Sequence, residues 1–159
     1  MITTELQKIL EKDRAQLDAL ASLLLEEKTC LEKRALERLN SLLQQKQTLI
    51  ASLERDDRAR RQLLTKAGLP ENQASLPRLR ELLLGNPEYQ ALAELIAGIE
   101  TRLQNCRELT ETNAVIVHRS RINTQRTLGI LRGPDALNNL YTSHGSTTGN
   151  NEKRNLGSA

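Results

Sequence analysis

Aromatic residues are almost missing from this chain: its 159 residues include no Trp, no Phe and two Tyr. That rules against a core filled by aromatic rings and against a stacking platform for single-stranded nucleic acid. Histidine is nearly as scarce. His118 and His144 are the two present, so a His-rich metal cluster has no material to form from, and no metal or other cofactor is expected. Cysteine is limited to Cys30 and Cys106, far apart and outside any C-x-x-C spacing, which predicts reduced thiols lying in helix seams. Neither the Walker A pattern nor G-x-G-x-x-G occurs, so nucleotide binding has no support. Long apolar runs are lacking too. The amino terminus, Met1-Ile2-Thr3-Thr4-Glu5-Leu6-Gln7, carries no basic stretch leading into an apolar segment, and Leu23-Leu24-Leu25 is far too short to cross a bilayer. A cytoplasmic protein without membrane insertion is expected.

What is present is leucine, alanine and charge. Hydrophobic residues make up 38% and charged residues 27%, a profile of long helices rather than of a β-fold or a disordered chain. The length fits one domain. The net charge of +3 is small and mixed in sign along most of the chain, so it demands no nucleic-acid partner.

Apolar periodicity predicts an all-α fold: an antiparallel, coiled-coil-like bundle of three long helices plus one short helix. The first helix is expected to begin at Thr4, with Gln7 completing a capping box. Its seam runs Leu6, Leu10, Leu17, Leu20, Leu24, Leu31, mostly in steps of three and four. The phase then changes. The next seam is Leu36, Leu39, Leu43, Ile50, Leu53, Leu64, and the five-residue step from Leu31 to Leu36 does not fit one straight helix. A reversal within residues 32–38 is expected, although no Gly or Pro marks it and a kinked continuous helix is the alternative. Gly68 is the expected C-cap of the second helix, with Pro70 close behind. Ser75 then caps a short helix that carries Leu79, Leu82 and Leu83 and stops at Gly85. Asn86-Pro87-Glu88 starts the last helix: an N-cap, a proline in the first turn, and an acid suited to the helix dipole.

That last helix is expected to run from Pro87 to Arg132, roughly 70 Å against roughly 45 Å for each of the first two. Its seam starts apolar, as Leu92, Ile96, Ile99, Leu103 and Cys106. It continues in the same register as Thr110, Asn113, Val117, Ser120, Thr124, Thr127 and Leu131. A helix that outruns its partners should turn polar in this way. The domain division is therefore a helical bundle over 1–132 and a flexible tail over 133–159, since the tail after Thr142 is mostly Gly, Ser, Thr and Asn.

No catalytic constellation emerges, and an enzyme is not expected. The adjacent carboxylates Glu26-Glu27 and Asp56-Asp57 lie among Lys and Arg on helices and read as solvated surface pairs. Arg58, Arg60 and Arg61, interleaved with Glu54, Asp56 and Asp57, read as a solvated face. Residues 112–134 contain no acid but include Arg119, Arg121, Arg126 and Arg132. This is either a cationic half favoured by the helix dipole or a surface for an acidic or polar partner. DNA is the weaker option, because four spread arginines form no DNA-binding motif. Tyr141, one of two aromatic residues, stands in Leu140-Tyr141-Thr142-Ser143-His144-Gly145-Ser146-Thr147, beyond the helix stop at Gly133-Pro134. Either it anchors a docking motif, since interface hot spots favour Tyr, or Leu140 and Tyr141 fold back onto the bundle.

These segments resemble the FlgN family of flagellar export chaperones. Asn113-Ala114-Val115-Ile116-Val117 followed by Leu128-Gly129-Ile130-Leu131 is similar to the family's Asn, paired-hydrophobic and Leu-x-x-Leu pattern. The Leu140 to Thr147 segment resembles its Leu-Tyr-x-x-x-Gly-x-Thr tail, with His144 a departure where an acidic or amide residue is common. The resemblance covers most of the length but is specific only from about Asn113 to Thr147. It implies a cytoplasmic chaperone that binds the carboxyl-terminal amphipathic helices of the hook-associated proteins FlgK and FlgL, prevents premature assembly, and delivers them to the export gate protein FlhA. It implies client contacts at Asn113, Ile116, Val117, Leu128 and Leu131, and gate docking through Leu140, Tyr141 and Gly145. The competing reading is a non-catalytic coiled-coil scaffold or assembly protein.

Overall fold

The computed structural model describes residues 2–132, and among them every regular element is helical. Helix α1 spans Ile2–Lys33, α2 Leu36–Lys66, α3 Leu76–Leu84 and α4 Gln90–Arg132. Single 3-10 turns at Glu71–Gln73 and Pro87–Tyr89 precede α3 and α4. The chain divides into two units, Met1–His118 and Arg119–Ala159. The first holds α1, α2, α3 and α4 as far as His118. The described part of the second is the remainder of α4.

The expected reversal within residues 32–38 is a tight turn at Arg34 and Ala35. Ala35 N–H donates to Cys30 O at 2.9 Å and Arg34 N–H to Leu31 O at 3.4 Å, the paired bonds of a Schellman motif. Arg34 therefore takes the left-handed conformation, φ 57°, a position usually given to Gly. Helix α2 closes with the same two bonds, Leu69 N–H to Leu64 O and Gly68 N–H to Thr65 O, both at 3.0 Å. Here the left-handed residue is Gly68, φ 86°, as its place in the sequence predicts. Two helix starts differ from expectation. Helix α1 begins at Ile2 rather than at a Thr4 cap, and Gln7 reaches forward to Glu11 at 2.8 Å instead of back to close a capping box. Ser75 holds the N-cap position of α3 but makes no side-chain capping bond. Asn86 behaves as expected and accepts from Glu88 N–H at 3.0 Å.

Cross-helix bonds fix the directions. Lys12 pairs with Asp56, Gln16 with Ser52 and Glu26 with Arg38, so α2 runs antiparallel to α1. Arg102 pairs with Asp18, Cys106 Sγ donates to Leu17 O at 3.6 Å, and Asn113 reaches Leu24 O, so this part of α4 runs parallel to α1. The core lies between them. Leu6, Leu10, Leu17, Leu20 and Leu24 of α1 meet Leu92, Ile96, Ile99 and Cys106 of α4, with Leu64, Ala74 and Leu79 closing one end. Both cysteines are buried free thiols.

The inward row of α2 is not the one its leucines suggest. Leu42 and Leu64 are buried, but so are Asp56 and Arg60, while Leu36, Leu43 and Ile50 are exposed. The solvated reading of Asp56, Arg60 and Glu27 is therefore overturned, since all three are at least nine-tenths buried. Asp56 and Arg60 continue the spacing of Leu49 and Leu53 toward Leu64, and a purely apolar pattern passes over them. Asp13 of α1 faces this pair. Its carboxyl is pushed up to about 6, first by burial and next by the Asp56 carboxylate; Asp57 adds to the rise, while Arg60 and Lys12 oppose it.

Asp13 holds its proton more tightly in the folded chain than at its ordinary value of 3.8. Its contribution to stability is thus fully present below that value and is lost as pH rises through about 6. Urea unfolding at about pH 5 and about pH 8 should show wild type weakened at the higher pH by about 1–1.5 kcal/mol from this group. Asp13→Asn should be the more stable form at the higher pH, with the difference shrinking toward pH 4. A variant whose pH profile parallels wild type would assign that slope to other groups.

Candidate functional surface on the last helix

The second half of α4 sets its polar atoms against its own backbone. Thr110 and Thr112 donate to Cys106 O and Glu108 O at 2.8 and 2.9 Å. Thr124 and Thr127 donate to Ser120 O and Asn123 O, both at 3.0 Å. Each hydroxyl is satisfied one turn back. What the polar half of the seam offers a partner is therefore largely methyl surface.

Among these residues stand aliphatic side chains that the other described residues leave open. Val115 and Val117 are 48% and 50% exposed, and Ile116 between them is half-buried. Further along the helix Leu128 and Leu131 are 44% and 78% exposed. Arg119, Arg121 and Arg126 are exposed on the same stretch. The structure thus leaves four of the five α4 residues picked out by sequence wholly or half open to a partner.

Asn113 is placed differently. It is 5% exposed, and its amide nitrogen donates to Leu24 O at 3.0 Å and to Glu27 Oε2 at 2.8 Å. The other oxygen of Glu27 holds Lys46 Nζ at 2.5 Å. Asn113 therefore ties α4 to α1, and through Glu27 to α2, with the open valines one turn beyond it. Spacing marks Glu27 only as half of a solvated carboxylate pair and does not mark Lys46. The signal lies in their partners, and only the packed helices bring those together. Leu140, Tyr141 and Gly145 lie outside the described residues.

Among the described residues no three His, Cys, Asp or Glu side chains gather as a metal site would require, and no helix is long and apolar enough to cross a membrane. A family model described as FlgN protein matches residues 1–149. No curated protein and no solved structure matches the chain.

The Asn113 contacts set a test of what this residue does. Asn113→Ala removes two buried hydrogen bonds, one of them to a carboxylate, and should destabilise the chain by about 1–3 kcal/mol. Val117→Ala, at a half-exposed position, should change stability by less than about 0.5 kcal/mol. Thermal unfolding of the two variants checks the contrast; equal melting temperatures would remove Asn113 from the bundle's support.

Proposed function

The chain belongs to the FlgN family, the flagellar export chaperones, and we propose that it holds the carboxyl-terminal amphipathic helices of FlgK and FlgL in the cytoplasm and hands them to the export gate protein FlhA. The observation carrying this reading is the exposed pair Val115 and Val117 in the first unit, on a helix stretch that lacks acid; Leu128 and Leu131 in the second unit are exposed as well. A client segment that assembles outside the cell carries an apolar stripe that is an aggregation hazard inside it. Covering that stripe with a helix face removes the hazard, which is helix-in-groove recognition.

On this reading Ile116, Val117, Leu128 and Leu131 touch the client, and Asn113 holds their helix in place. The protein acts by binding and release, with no catalytic step and no cofactor. Residues 133–159 form the docking tail, and Leu140, Tyr141 and Gly145 meet the cytoplasmic domain of FlhA. Tyrosine suits that role, because it offers a large apolar area and a hydroxyl with only two side-chain torsions to order.

Replacing both Ile116 and Val117 by Asp should abolish co-purification with FlgK while far-UV circular dichroism keeps its helical signal. Client binding retained in that variant places the site elsewhere. Helicity lost with binding makes the two residues part of the bundle core. Tyr141→Ala should leave melting temperature and FlgK binding close to wild type and weaken binding to the FlhA cytoplasmic domain by roughly thirtyfold, or about 2 kcal/mol. Calorimetry on the client-loaded protein reads that loss. An unchanged gate affinity, or a large fall in melting temperature, would make Tyr141 a staple of the tail to the bundle.

A further inference from the structure

Helix α3 fills only part of a fourth-helix position against α2 and α4. Its Leu79 is buried in the core, and its Arg80 pairs with Glu100 of α4 at 2.9 Å. From Leu76 it descends toward the turn that starts α4. At Leu76 the cover stops, and a cleft of about 380 Å³ opens there, half its lining apolar, with Leu53, Leu76 and Leu103, and half charged, from Asp13 and from residues 54–60 of α2.

From that cleft a row runs up α2 in steps of three and four: Leu53, Ile50, Lys46, Leu43 and Leu39. Residues so spaced share one helix face. Leu43 and Ile50 in this row are 37% and 40% exposed. On α4 the matching ascent is Leu103, Thr110 and Val117. The two rows stand at one height, because Glu27 binds Lys46 of the first row and Asn113 beside the second.

They also share a chemistry. Residues 39–53 of α2 contain one charge, Lys46, and residues 110–118 of α4 contain one, Glu111, whose spacing sets it off the Thr110–Val117 row. Lys46 is already paired with Glu27. In a chain that is 27% charged, the two walls of the open position form an uncharged belt of aliphatic, amide and hydroxyl side chains. A nucleic acid or a strongly acidic segment finds no counter-charge on it. An amphipathic helix with an aliphatic stripe and uncharged edges does find its complement, and α3 shows that a helix fits in line below it.

We propose that the client helix docks end-on above Leu76 and completes the fourth position, between the Leu43–Ile50 row of α2 and the Thr110–Val117 row of α4. The open stretch takes roughly 15–20 Å of helix, about 10–14 residues. This rests on the chaperone reading and adds to it a second wall, on α2, that the α4 residues alone do not supply. Because the belt is uncharged, the affinity depends little on salt.

The test uses the full chain and the carboxyl-terminal segment of FlgK as probe. Leu43→Asp with Ile50→Asp, both at solvent-open positions, should weaken binding by roughly tenfold or more, with helicity and melting temperature close to wild type. Wild-type affinity should change less than about twofold from about 50 to about 500 mM NaCl. The α4 variant Ile116→Asp with Val117→Asp is run beside it. Loss in the α4 variant with full binding in the α2 variant overturns the groove and leaves the chaperone reading standing. Wild-type chain that binds no FlgK segment overturns both. If sedimentation instead shows a dimer of the free chain that Ile50→Asp dissociates and FlgK does not displace, the occupant is a second copy and the proposal fails.

Discussion

Glu27 holds three helices at one height, and the remaining contacts of the bundle take their register from it. One carboxylate oxygen meets Lys46 of α2 and the other meets Asn113 of α4. Leucine seams alone do not fix such a height, since a heptad slipped by one repeat sets leucine against leucine again. A buried carboxylate slipped from its partners is left uncompensated, which costs several kcal/mol. The node makes the correct register the one in which no charge is stranded. It also sets the valines of α4 level with the uncharged middle of α2.

A second polar group works at the other end of the α1–α2 pair. Lys12 reaches Asp56 at 2.7 Å, Arg60 is joined to Asp57, and Asp13 is buried beside them. Polar groups thus stand on both sides of the central leucines. The apolar stretch between them supplies most of the burial, and the polar ends say where it must sit.

The helices were legible in the sequence because their signals are local. The α1 row from Leu6 to Leu24, the Gly68 stop and the Asn86-Pro87 start each follow from residues within a turn or two of one another. The reversal was visible as a phase step, but its exact form was not, because Arg34 sits in a left-handed position that composition assigns to Gly. The inward row of α2 was misread for a different reason. Asp56 faces the core because Lys12 of α1 meets it, Arg60 is held by Asp57 beside Asp13, and Leu36, Leu43 and Ile50 look like a seam although no described helix covers them. The same limit applies to the α4 surface. Its open aliphatic residues could be picked from their neighbours, while the support under Asn113 depends on α1 and α2 and is invisible along α4 alone.

The parallel run of α1 and α4 has a consequence for the order in which the molecule forms. The α1–α2 hairpin closes through a two-residue turn, so its contacts are near in sequence and quick to find. The bonds from α4 to Leu17, Leu24 and Glu27 join residues 86 to 89 positions apart, and they cannot form until most of the chain exists. During synthesis the hairpin therefore waits with Leu10, Leu17 and Leu24 uncovered, and the arrival of α4 seals them last. A protein whose proposed work is to cover the apolar helices of others begins its own life needing the same cover, and supplies it from its own carboxyl-terminal half.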